Sequence, residues 1–194
     1  MKQKIKDIAD IQIGYQFRGK VEADPQGAYK VIQIRDFDEL FSLKKENLQT
    51  VRLKGDADRY LVNKNDVLFL SRGHRNYAIP IIAQLRNTVA ASYFFILRIK
   101  TGKVLPDYLA WYINQAPAQE YLHNNARRGT HMPLVPLSAF ADLTIEIPDI
   151  KSQSMIVSLS ALMDKEKALL NELQEKRSQL IKAICLKRVK QRRD

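Results

Sequence analysis

A chain of 194 residues with 45% hydrophobic side chains has room for one packed globular domain and one further element, which excludes wholesale disorder. Lysine and arginine number 32 against 21 aspartate and glutamate, a net charge of +11, so an acidic partner is expected. Its single cysteine, Cys185, rules out an internal disulfide and points to a reducing, cytoplasmic setting, and no apolar run is long enough to cross a bilayer.

The charge is unevenly placed. Residues 1–150 carry 21 basic and 16 acidic side chains, and residues 151–194 carry 11 and 5. Much of the excess lies in the tail Lys187, Arg188, Lys190, Arg192 and Arg193, which serves either a polyanion or the negative end of a helix.

In chain order, Lys4 to Gly14 reads as a short helical turn leading into a strand from Asp10 to Ile13. Two glycines then bracket an exposed loop holding Tyr15, Arg18 and Lys20. Its aromatic and basic residues suit stacking on bases and pairing with phosphate, or else form an ordinary loop with one buried ring. Tyr29–Ile34, Leu48–Leu53 and Asp66–Leu70 read as strands. A polar loop follows with Arg72, His74, Arg75, Asn76 and Tyr77. Arginine on guanine and asparagine on adenine are the pairings that read base edges, which makes this loop the strongest nucleic-acid candidate.

Ala78–Leu85 and Val89–Lys100 read as core strands. Pro106 opens a helix over Asp107–Gln115, whose Tyr108, Trp111 and Tyr112 are expected to pack on the sheet. A second short helix covers Ala118–Asn125, and a third basic loop brings Arg127, Arg128, Thr130 and His131. That loop is a phosphate contact or a solvated helix end. Ser138 is a candidate cap for a short helix reaching Asp142, and Leu143–Ile147 closes the domain as a strand.

After Pro148 the sequence runs to its end without another proline or glycine, with Asp149 or Ser152 as candidate cap of one helix over Ser152–Arg188. About 37 residues at roughly 1.5 Å each span some 55 Å. Met155, Leu159, Leu162, Leu169, Leu173, Leu180 and Ala183 recur at alternating steps of four and three, interrupted only by Glu166 and Lys176. Such a narrow seam calls for a partner helix, the alternative being a helix packed along its own domain with the seam charges reaching to solvent. In an antiparallel pair with its twofold axis at Asn171, Leu159 meets Ala183, Leu162 meets Leu180, Leu169 meets Leu173, and Glu166 meets Lys176. A parallel pair would stack like charges instead.

Catalytic signatures are missing. The three histidines are scattered and, with one cysteine, give no metal-ligand spacing; no nucleotide-binding glycine loop or nucleophile elbow occurs. Pro148, Asp149 and Lys151 lack the further carboxylates that a nuclease metal site would require. No cofactor and no enzymatic activity are expected.

Four stretches resemble one family: Lys6–Gly14 (KDIADIQIG), Leu61–Arg72 (LVNKNDVLFLSR), Pro106–Ile113 (PDYLAWYI) and Gly129–Ile156 (GTHMPLVPLSAFADLTIEIPDIKSQSMI). In their order and spacing they are similar to one half of a Type I restriction-modification specificity subunit. That resemblance implies a non-catalytic subunit in which each target recognition domain reads half of a bipartite site in double-stranded DNA. It further implies a long spacer helix paired antiparallel with a second one, docked methyltransferase subunits, and restriction subunits outside them. The sequence departs from the family at the helix base, where Asp149 follows Pro148 in place of a second proline and Ser152 precedes Gln153 in place of glutamate.

The expected architecture is therefore a mixed α/β (α+β) recognition domain over residues 1–150, built on a mixed sheet, and a coiled-coil helix with a basic tail over 151–194. The expected assembly is a homodimer or a pairing with another half-subunit. A stand-alone regulator binding DNA or RNA without a methyltransferase is the alternative.

Overall fold

The structure is a computed structural model and describes residues 1–38, 42–55, 57–73, 75–127 and 132–190. The chain divides into two compact units, Met1–Gln153 and Ser154–Asp194.

The first unit is of the mixed α/β class expected. Its order is β1 (Lys2–Lys4), α1 (Ile5–Ile8), β2 (Ala9–Ile13), β3 (Tyr29–Ile32), β4 (Gln49–Val51), β5 (Val67–Leu70), β6 (Ala78–Pro80), β7 (Thr88–Ala90) and β8 (Phe94–Ile99). Then come α2 (Pro106–Ile113), α3 (Ala116–Asn125), α4 (Leu137–Asp142), β9 (Thr144–Glu146) and the start of α5 (Ile150–Lys190). Among the described residues the strands form three sheets rather than one, ordered β1-β9, β2-β8-β5-β6 and β4-β3-β7. Only the last is mixed, with β3 antiparallel to β4 and parallel to β7.

The single strand expected over Val89–Lys100 is broken. Phe94 donates its amide to the Ala91 carbonyl at 3.0 Å, a turn that sends β7 to one sheet and β8 to another. Ala78–Leu85 is likewise strand only to Pro80, since proline brings no amide hydrogen to a ladder. Ser138 does not cap α4, which starts one residue before it with Pro136 at the cap position.

The main core lies where β5 and β8 pair, every residue of β5 being buried. Phe69 stacks on Phe140 from α4 with ring centroids 4.1 Å apart, and Phe95 packs on both. Each such burial stabilises by about 2–3 kcal/mol. Helix α2 starts with Pro106 in its first turn, and its Tyr108 is buried with its hydroxyl donating to the Glu146 carbonyl at 2.6 Å.

At the start of α5, Asp149 settles the choice of cap: its Oδ1 accepts from the Ser152 amide at 3.0 Å, and its Oδ2 accepts from the Ser152 hydroxyl at 2.6 Å. This N-cap geometry holds the Asp149 carboxyl below its ordinary range, the Ser152 hydroxyl being the larger cause. In the second unit the helix continues to Lys190. Leu159, Leu162, Leu169, Leu173 and Leu180 are each 55–64% exposed along it. Lys176 makes an ion pair with Glu172 one turn back, at 3.0 Å.

Candidate nucleic-acid interface

Sheet register decides where the basic loops go. In the order β2-β8-β5-β6 all neighbours are antiparallel, with Ile13 opposite Phe95, Leu70 opposite Phe94, and Phe69 opposite Ala78. The loop leaving β2 after Ile13, the turn entering β8 before Phe94, and the β5–β6 loop therefore emerge at one end of the sheet.

The two flanks of the third loop, Arg127 and Pro133–Val135, are brought to the same end by backbone pairing. Arg72 and Arg127 each form an isolated bridge with Leu134. Gly73 donates to the Pro133 carbonyl at 3.0 Å, and Val135 donates to the Ser71 carbonyl at 2.9 Å. Residues more than fifty positions apart thus form one surface on which Arg18, Lys20, Arg72, Arg75 and Arg127 are exposed.

Within this surface the side chains divide by role. Arg72 places its guanidinium carbon 5.9 Å from the centre of the Tyr93 ring, a cation over an aromatic face. Asn76, expected to read adenine, donates its amide to the Leu70 carbonyl at 2.9 Å and so closes its own loop. Tyr77 is half-buried, and its carbonyl accepts from the Leu70 amide at 2.8 Å. Tyr15 is half-buried too. Its hydroxyl accepts from the Lys54 amide at 3.2 Å, and its ring meets Phe17 and Tyr60 edge-on at 4.9 and 5.2 Å. The first loop is thereby anchored on an aromatic cluster, leaving Arg18 and Lys20 as its exposed cations. His74, Arg128, Thr130 and His131 lie outside the described residues, as do Arg192 and Arg193 in the tail.

Gly14 sets the departure of that loop. A methyl group there would overlap the Ala90 and Ala91 carbonyl oxygens. Gly14 donates to the Phe94 carbonyl at 2.9 Å and Tyr15 to that of Ala90 at 2.7 Å, a close approach that only glycine permits.

Sequence reasoning passed over two contributors. Tyr93, read as a core-strand residue, is 40% exposed in the turn before β8; the small residues Ala91 and Ser92 ahead of it were the available signal. Tyr60, with Arg59 stacked 4.6 Å over its ring, joins the Tyr15 cluster from a short 3-10 turn that has no hydrophobic period to mark it.

At the other end of the sheet Ala9 pairs with Ile99, and three lysines there share two carboxylates. Lys4 and Lys6 both reach Asp142, at 3.0 and 2.9 Å, and Lys2 reaches Glu146 at 3.0 Å. These lysines hold Asp142 below the ordinary carboxylate range, Lys6 being the first cause. Among the described residues no group of histidine, cysteine, aspartate or glutamate comes together to hold a metal, and no helix is long and apolar enough to cross a membrane.

Two solved structures have this fold. The S subunit of a Type-I restriction-modification system from M. genitalium superposes with a TM-score of 0.56 at 15% identity, over 85% of this chain and 39% of that one. The HsdS subunit from Thermoanaerobacter tengcongensis gives 0.58 at 16% identity, over 87% and 43%. The chain thus spans about two fifths of the length of each. A comparison with curated proteins returns no match. The model of the Type I restriction modification DNA specificity domain matches residues 1–182, from the first strand through most of the long helix, and the chain belongs to that family.

Proposed function

We propose that this chain is a half-length DNA specificity subunit. Residues 1–150 are the recognition domain and read one half of a bipartite site in double-stranded DNA, and residues 151–194 are the spacer helix with its basic tail. What supports the reading is that the described parts of three basic loops, 14–20, 71–73 with 75–77, and Arg127 with 132–135, converge at one end of a sheet in a chain of the specificity family. Exposed arginines and Lys20 supply phosphate affinity, and the polar groups between them supply sequence choice.

A single recognition domain reads only half of such a site, so a second helix seated on the α5 seam completes the subunit. Opposite charge at Glu166 and Lys176 favours a reversed second copy, with another half-subunit as the alternative. The paired subunit then docks methyltransferase subunits, with restriction subunits beyond them, and performs no chemistry itself.

Binding to duplex DNA across a salt series tests the reading. The slope of log K against log salt is expected to be steep, and to fall by about one unit for each of Arg72→Ala and Arg127→Ala. An unchanged slope in both variants rejects the loop surface. Sequence-dependent methylation on adding a cognate methyltransferase tests the assembly. DNA binding with no methylation alongside any such enzyme would favour a stand-alone regulator.

A further inference from the structure

A fourth element reaches the same end of the sheet. β3 runs parallel to β7, with Ile32 level with Ala90, so the chain leaving β3 emerges beside the turn that carries Tyr93. It does so as a rigid stem. The buried Asp36 carboxylate accepts from the Gln33 amide at 2.7 Å, the Asp36 carbonyl accepts from the Lys44 amide at 2.8 Å, and Phe37 bridges Leu43. Phe37 packs on Phe94 with ring centroids 5.7 Å apart.

Between this stem and the β5–β6 loop is a cleft of about 450 Å³. The stem lines it with Ile34, Phe37 and Asp38, the other side with Leu70, Arg75 and Ile79, and Phe94 joins them. Ile34 is 38% exposed, an apolar side chain among exposed arginines. Phosphate is bound by polar and cationic groups, and apolar walls offer it nothing. A base edge is different, because thymine carries a methyl group into the major groove beside its hydrogen-bonding atoms.

The geometry points to Ile34 as a specificity-determining residue, its side chain taking a thymine methyl at the cleft mouth. This rests on the DNA reading above and names one base contact within it. The stem's backbone hydrogen bonds fix Ile34 before DNA arrives, so little ordering accompanies the contact. Arg35, exposed beside it, is placed to meet the neighbouring phosphate.

Selection of the full chain from a randomised duplex library, followed by thymine-to-uracil replacement in the selected motif, is the test. One thymine position is expected where uracil weakens wild-type binding about fourfold, the worth of one buried methyl. Ile34→Ala should bind thymine and uracil duplexes alike there, with its salt slope on unselected DNA unchanged. A motif without thymine, or an Ile34→Ala chain that keeps the wild-type penalty for uracil, overturns the cleft assignment while leaving the DNA reading intact. A wild-type chain that enriches no sequence at all overturns both.

Discussion

Gln153, fully buried in the first turns of the long helix, accepts from the Leu105 amide through Oε1 at 2.9 Å. Its Nε2 donates to the carbonyls of Lys103 and Pro148, both at 2.8 Å. One side chain thus satisfies three backbone groups from two segments, and it ties the start of α5 to the turn that launches α2. Replacing it with leucine would keep the volume and orphan all three. Buried unsatisfied groups cost about 1–3 kcal/mol each; with water reaching some of them, Gln153→Leu is expected to lower stability by about 3 kcal/mol. Urea unfolding followed by circular dichroism measures it, and a loss under about 1 kcal/mol would show the clamp to be dispensable.

Gly14→Ala should act on fold and binding together. The added methyl collides with backbone carbonyls rather than with the end of a flexible side chain, so β2 and β7 must separate. A cost of about 2 kcal/mol or more is expected, in the range of overpacked sites. DNA affinity should fall in the same variant, because Arg18 and Lys20 hang from this departure point. Normal thermal stability in Gly14→Ala would contradict the close approach.

The proposed seam makes a charge-reversal prediction. Glu166→Lys would set lysine against Lys176 twice in a twofold pair and should weaken self-association about tenfold, roughly 1.4 kcal/mol. Adding Lys176→Glu should restore it. Lys176 already has Glu172 within its own helix, which softens the effect without changing its sign. Sedimentation velocity over a concentration series distinguishes the outcomes, and a single variant that dimerises like the parent argues against the reversed pairing.

Stability should depend on pH through Asp66. Burial raises its carboxyl above the ordinary value of 3.8, outweighing the Asn63 amide and the Arg98 guanidinium that pull it down. The folded chain therefore binds this proton more tightly than the unfolded chain does. The resulting stabilisation is complete below the unfolded value and is lost as pH rises through the folded value. Asp36 is shifted in the same direction, also by burial. Asp142 and Asp149 are shifted downward, so their contributions disappear only below 3.8 and leave this window clear. Urea midpoints above about pH 3.8 should fall more steeply with pH for the parent than for Asp66→Asn; parallel curves would reject the assignment.

Much of this fold was legible in the residues, and the failures have physical causes. The long helix, 41 residues from Ile150 to Lys190, was plain because a run without proline or glycine after Pro148, with Asp149 or Ser152 to cap it, admits little else. β5 and β8 were plain because the apolar runs VLFL and FFIL are buried on both faces. The break at Ala91–Tyr93 was missed because apolar residues flank it on both sides and hydrophobicity alone does not register a turn. β1 was missed because Lys2–Lys4 is an edge strand of three polar residues held by pairing with β9, a partner 140 or more positions away. For the interface, composition marked the three loops, while their meeting depended on strand register and on the Arg72–Leu134 and Arg127–Leu134 bridges. Composition also could not show that Asn76 and Tyr15 hydrogen-bond within the protein, since a polar side chain in a loop looks the same whether it faces solvent or its own backbone.

The pairing of β1 with β9 has one more consequence. The Met1 ammonium donates to the Ile147 carbonyl at 3.1 Å and the Ile147 amide donates back to the Met1 carbonyl at 2.7 Å. The polypeptide thus enters and leaves its first unit at one doorway. A module whose ends meet can be grafted or permuted as a single cassette without redrawing its interior, so under the proposed DNA reading a different first unit could be exchanged by cutting at two adjacent points.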